Sequence, residues 1–237
     1  ITLVMIFGNN LRTKGNCGSI TELVDAISLM TTSSMAVIKI ILPWCHQKSL
    51  ALIVGSSVAD WVSVDSKKSK KIMTTYAYIG RIVLIVQMFG AYMTIVPLIL
   101  LRLPKLAEIN DDGNTSVLLR NIPIGPRCWV STDISNFAYL TYYAFVCVHL
   151  FILATAYLGS DVYTFGLAMH VCGQFELLYE NVDEIGRTNR LTEQRDKIAK
   201  FVKRHNHLLM LADKFEKAFN VLILCELGAN TFIISIS

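Results

Sequence analysis

From Phe137 to Leu158 the chain runs for 22 residues without an Asp, Glu, Lys or Arg. As a helix rising about 1.5 Å per residue this stretch reaches roughly 33 Å, enough to cross the hydrocarbon of a bilayer. An apolar helix can equally be the core of a soluble protein, so length alone does not decide. Four such stretches in a chain of 237 residues, with 53% hydrophobic residues, 17% charged residues and a mean hydropathy of +0.48, do decide for lipid. The chain is read as an all-α, polytopic transmembrane helix bundle. Helical character continues past Asp161, with Val162, Phe165, Met169 and Cys172 expected on one face. A helix this long must leave the membrane and pack against another element in water.

Spans are expected at about 20–45, 79–102, 137–160 and 216–237. The chain starts in an uncharged run too short to span, residues 1–8, and finishes inside another apolar run, so it is expected to be a piece of a longer protein whose first span is truncated. A polar loop follows the first run, with Gly8, Gly15 and Gly18 as breakers. Residues Ile20 to Cys45 read as a helix with Glu22 and Asp25 in its first turns, where acid suits the helix dipole. Lys39, its only basic residue, is expected to carry its ammonium to the near interface along its aliphatic stem. Pro43 and Trp44 mark the exit. Residues 46–78 are amphipathic and include the basic run Lys67, Lys68, Lys70 and Lys71, a cytosolic flank rather than a nucleic-acid patch. Arg81 and Arg102 bracket the uncharged segment Ile82 to Leu101, in which Pro97 is expected to introduce a kink. The final helix, from about Thr192, presents Phe201, His205, Leu208, Ala212, Phe215, Phe219 and Leu222 on one face.

Sidedness follows from charge, because Lys and Arg concentrate in cytosolic loops. Loops 46–78 and 180–215 hold thirteen of them and loops 8–19 and 103–136 hold five, so the first pair is cytosolic. The sequon Asn114-Thr115-Ser116 then falls outside, making Asn114 a candidate glycosylation site. Cys17 and Cys128 are the two cysteines in outside loops, which leaves a disulfide between them open.

With the first run ending outside, the N-terminal side is cytosolic, opposite to a G-protein-coupled receptor, and no span carries Asp-Arg-Tyr at its inner end. The five histidines and six cysteines lack the spacing of a metal site, which argues against a membrane oxidase or desaturase. They are read as polar or packing residues. No catalytic constellation is visible, and the chain is expected to be neither an enzyme nor a user of a cofactor.

Four segments carry a resemblance: LPWCHQKSL with the Asp60-Trp61 pair beyond it, SNFAYLTY from Ser135, GSDVYTFGLAMHVCGQFELL from Gly159, and FVKRHNHLLMLADKFEKAFNVLIL from Phe201. Together they resemble an insect odorant receptor, especially the group expanded in ants and other Hymenoptera. The resemblance implies a seven-helix subunit with a cytosolic N-terminus, whose sixth and seventh spans have no counterpart here. It implies an odorant-gated cation channel assembled with a co-receptor subunit in the plasma membrane of olfactory neuron dendrites. Pore residues, which the resemblance places on the seventh helix, are not assigned. A gustatory-type chemoreceptor or a small-molecule membrane transporter is the alternative reading.

For a receptor of this kind the resemblance places the ligand cavity in the outer half of the membrane. Residues at that depth are Tyr139, Tyr143 and Val146 on one face of the 137–160 span, Met88 and Tyr92 on the span before it, and Ile27 and Thr31 on the first complete span. Small volatile odorants would bind there, in an apolar cavity with few polar groups. The orientation is directly testable: on intact cells an impermeant thiol reagent is expected to label Ser116→Cys and to spare Ser69→Cys, whereas labelling at position 69 alone would invert the topology.

Overall fold

The computed structural model of the protein describes residues 2–15, 18–108, 116–119, 121–126, 129–130, 134–186 and 190–236. The elements are α1 (Thr2–Lys14), α2 (Ile20–Cys45), α3 (Gln47–Ser63), α4 (Lys67–Leu101), β1 (Lys105–Glu108), β2 (Ser116–Leu119), α5 (Asn136–Gly186) and α6 (Leu191–Ile236). Helices α2, α4, α5 and α6 are each long and apolar enough to cross a membrane. A polytopic helical bundle is thus what the chain builds. The turn-rich stretch after α4 adds a small antiparallel hairpin, with Lys105 opposite Leu119 and Glu108 opposite Ser116.

Local chemistry sets the helix ends. Ser19 and Glu22 form a reciprocal capping box at the start of α2: Glu22 N–H donates to Ser19 Oγ at 3.2 Å and Ser19 N–H to Glu22 Oε2 at 3.4 Å. Two expected boundaries move. Helix α1 runs straight through Gly8 to Lys14 and ends at Gly15, whose φ of +63° is the left-handed conformation that terminates helices. Helix α4 begins at Lys67 and carries Pro97 within one continuous helix, so the basic run and the following span are one element.

The chain divides into two compact units. Unit 1 comprises residues 1–38, 87–157 and 225–237. Its core gathers Phe7, Ala26, Leu29, Ile122, Ile124, Trp129, Val146 and Leu150. The buried face of α2 here reads Ala26, Leu29, Ser33 and Ala36, the 3-4-3 spacing of one helical stripe. The segment after β2 folds onto this core: the Phe7 and Trp129 rings lie 5.5 Å apart, and Lys14 Nζ donates to the Trp129 carbonyl at 2.7 Å. Arg102 ties the end of α4 to the same segment and to α2, donating to the Pro123 carbonyl at 3.1 Å and to Asp25 at 2.9 Å.

Unit 2 comprises residues 39–86 and 158–224. Buried Leu208, Leu211, Ala218, Phe219 and Leu222 make the packed face of α6, close to the expected one. On α5 the expectation fails. Its buried stripe is Leu167, Val171, Gln174 and Leu178, while Cys172 is exposed and Val162, Phe165 and Met169 are only half-buried. By helical geometry the two stripes lie on opposite sides of α5. Both sides are apolar, so periodicity could not choose; Gly173, on a flank between the two, takes the Tyr76 ring so closely that a Cβ would sit 3.2 Å from it.

Lys39 also departs from expectation. Its side chain is fully buried and its ammonium pairs with Asp161 at 2.5 Å, instead of reaching an interface. Removing the buried ammonium takes the ion-pair partner from the part-exposed Asp161 carboxylate, whereas removing both leaves no such charge. Lys39→Met should therefore destabilise the protein in lipid nanodiscs by about 3 kcal/mol, and Lys39→Met/Asp161→Leu should regain most of that loss in the same thermal or denaturant unfolding assay.

Candidate functional site

The outer-half residues singled out from the sequence all fall in unit 1. Tyr139, Tyr143 and Val146 form one buried stripe of α5 that continues into Leu150. The rings of Tyr139 and Tyr143 lie 6.4 Å apart. Their hydroxyls are both engaged by backbone: Tyr139 donates to the Asn121 carbonyl at 2.5 Å and Tyr143 to the Ile99 carbonyl at 3.1 Å. Val146 is part of the unit 1 core.

Met88 and Tyr92 are half-buried on α4, at helical spacing from Ile95 and Ile99, which pack against that core. Thr155 Oγ1 spends its proton on the Phe151 carbonyl at 2.8 Å, so in the 2.9 Å contact with Tyr92 it is the tyrosine that donates. The Tyr92 ring also lies 6.0 Å from that of Phe151. Tyr92 and Tyr143 thus each bridge α4 and α5, while Tyr139 meets the segment after β2 and Val146 the core. Ile27 and Thr31 do not join them: half-buried and linked to each other by a 3.0 Å Thr31 hydroxyl bond to the Ile27 carbonyl, they lie off the buried stripe of α2. None of the seven is among the residues lining the cavities of about 360, 260 and 100 Å³.

Unit 1 also holds polar groups that the sequence reading passed over. Ser33 Oγ and Gln87 Oε1 are buried and have no hydrogen-bond partner among the described residues. Glu226, within the apolar end of α6, accepts a 3.2 Å bond from the Tyr157 hydroxyl. An acid inside a span was a signal available from sequence, because carboxyls are costly there. The orphaned atoms depend on which face of each helix packs, which one-dimensional reading does not supply. Asn114, Cys17 and Cys128 lie outside the described residues.

In unit 2 a second polar cluster centres on Asp60. Arg204 Nη2 donates to Asp60 Oδ1 and to Gln174 Oε1, each at 2.7 Å, and His170 Nε2 donates to Asp60 Oδ2 at 3.2 Å. His205 sits between Phe175 and Phe201, stacked on the latter at 6.1 Å, and His207 bonds Ser56 at 3.0 Å. The water-side parts of α5 and α6 therefore meet each other and α3. Among the described residues no group of three His, Cys, Asp or Glu side chains is placed to hold a metal ion.

The family model described as 7tm Odorant receptor matches residues 19–237. The chain belongs to the odorant receptor family. A comparison with curated proteins gives no match. The family match covers α2 through α6 of the receptor, and with four membrane-length helices it identifies a multi-pass membrane receptor of olfaction. Nothing in the match bears on the hymenopteran affinity.

In this receptor the Asp60 cluster is an anchor with a pH signature. Burial alone would raise the Asp60 carboxyl above its ordinary 3.8, but the His170 hydrogen bond and the Arg204 charge and hydrogen bond outweigh burial and hold it lower. A lowered carboxyl gives stability that is complete above the unfolded value and is lost as pH falls through the folded one. Solubilised receptor should thus lose thermal stability below pH 3.8 more steeply than Asp60→Asn, which lacks the titrating group; parallel pH profiles would show that the cluster contributes nothing.

Proposed function

We propose that the receptor binds small, mostly apolar volatile ligands between α4 and α5 in unit 1, and that it does so as one subunit of an odorant-gated cation channel completed by a co-receptor subunit in the plasma membrane. The family match supports an odorant as the ligand, and the co-receptor and the channel are what the family resemblance implies. The observation that carries the location is the Tyr92–Thr155 contact with Phe151 beside it, which puts a polar pair within an otherwise apolar seam. That balance suits an odorant: dispersion and burial supply affinity, and one or two hydrogen-bonding groups set orientation.

Met88 at the end of the seam would sense ligand length, since its flexible thioether adapts to irregular volumes. Tyr143 closes the other end while its hydroxyl holds the Ile99 carbonyl. Ser33 and Gln87, both buried in the same unit with an unused polar atom, would serve a ligand hydroxyl or carbonyl. Ile27 and Thr31, away from the seam, contribute less. Asn114 would carry a glycan on the outer side.

The receptor's odorant panel tests this reading when it is expressed with its co-receptor. Met88→Ala is expected to shift the preferred chain length upward, and Tyr92→Ala to weaken responses about tenfold, the worth of one aromatic contact with its hydrogen bond. Ser33→Ala should weaken oxygenated odorants relative to hydrocarbons of equal length. If all three variants keep the parental rank order and potency at equal surface expression, the ligand binds elsewhere.

A further inference from the structure

A cavity of about 360 Å³ lies in unit 2 between α3, the first half of α4 and the water-side part of α5. Its polar lining is unusual for such a place. Arg81, Trp61, Ser57 and Tyr76 all line it, all can donate hydrogen bonds, and none has a hydrogen-bond or ion-pair partner among the described residues. No Asp or Glu is among the lining residues. The lining His170 is bonded to Asp60, an acid already paired by Arg204.

Apart from His170, the rest of the lining is apolar or absent: Leu84 and Val162 offer aliphatic surface, and Gly80 and Gly166 leave open space where a side chain would project. Arg81 is also the last member of a stripe on α4 that includes Lys67, Lys70 and Thr74 at helical spacing, so positive charge leads from the water side to the cavity.

We propose that this cavity is a binding site for one anionic phospholipid of the adjoining leaflet, with the phosphate held by Arg81 and the Ser57 and Tyr76 hydroxyls and an acyl chain lying along Leu84 and Val162 past the two glycines. A polar set in which every group can donate and no carboxylate competes complements a phosphate, whose oxygens only accept. A guanidinium next to aliphatic surface at a span end suits a lipid better than a soluble anion, because the tail contributes apolar burial. The identity of the leaflet as cytosolic rests on the charge-derived topology.

The test uses the whole chain, purified into nanodiscs of phosphatidylcholine with a minority of phosphatidylserine, and native mass spectrometry to count lipids retained after detergent release. The parent should retain one phosphatidylserine in preference to phosphatidylcholine. Arg81→Gln should lower that retention about tenfold, the worth of one charge-assisted bond, and Arg81→Lys should restore part of it. Gly166→Leu, whose side chain enters open space, should block retention with Arg81 intact. Unchanged melting of each variant shows that it is folded. Equal retention by Arg81→Gln and the parent, or equal retention of phosphatidylcholine, overturns the site. Retention by Gly166→Leu overturns its placement in the cavity, and displacement by millimolar inorganic phosphate makes it a soluble-anion site instead. The nanodiscs carry the lipid in both leaflets, so this outcome is independent of the thiol-labelling result, and a failed topology leaves it standing.

Discussion

Hydrocarbon offers no partner to a peptide N–H or C=O, so each span of this chain must satisfy its backbone within its own helix. The long elements follow from that. Helices α4, α5 and α6 of 35, 51 and 46 residues do not stop where their apolar windows stop. They continue into water and find new packing there. What remains to be satisfied is the helix ends, and side chains from elsewhere do it. Tyr143 donates to the Ile99 carbonyl, one of the last of α4, and Ser19 and Glu22 close the first turn of α2. Arg102 then uses its fork just beyond α4 to bind both a carbonyl and a carboxylate.

Membrane class and the four membrane-length helices were legible because they depend on composition over tens of residues, which neighbouring structure does not override. The start of α2 was legible to a residue or so because its capping chemistry is local. The packed face of α6 was legible too, since charges such as Lys203, Lys214 and Lys217 exclude the other faces. Helix α5 was not, because it is apolar nearly all round and either side could have been the buried one. Gly8 misled for a related reason: a glycine costs a helix about 1 kcal/mol, which packing of Phe7 into the unit 1 core readily exceeds.

The candidate site was legible in part. Tyr139, Tyr143 and Val146 were placed on one face by spacing, and Met88 and Tyr92 on another, and each set does form a stripe. What spacing could not supply was the partner of each hydroxyl or the rotation of α2, which leaves Ile27 and Thr31 half-buried beside its buried stripe. The Asp60 cluster draws on α3, α5 and α6. Only Gln174 on the buried stripe, with His170 one turn before it, hinted at it, and that hint has meaning only once the stripe is known.

The Lys39–Asp161 pair has a history as well as a geometry. Its members are 122 residues apart in sequence. At a synthesis rate of roughly 5–20 residues per second, Lys39 leaves the ribosome on the order of ten seconds before its counter-charge exists. During that interval α2 must be accommodated without Asp161, and a stem stretched towards the headgroups would allow it. Reaching for the interface therefore describes the nascent helix, and burial against Asp161 describes the finished one. Arrival of α5 at the translocon is the event that converts one into the other.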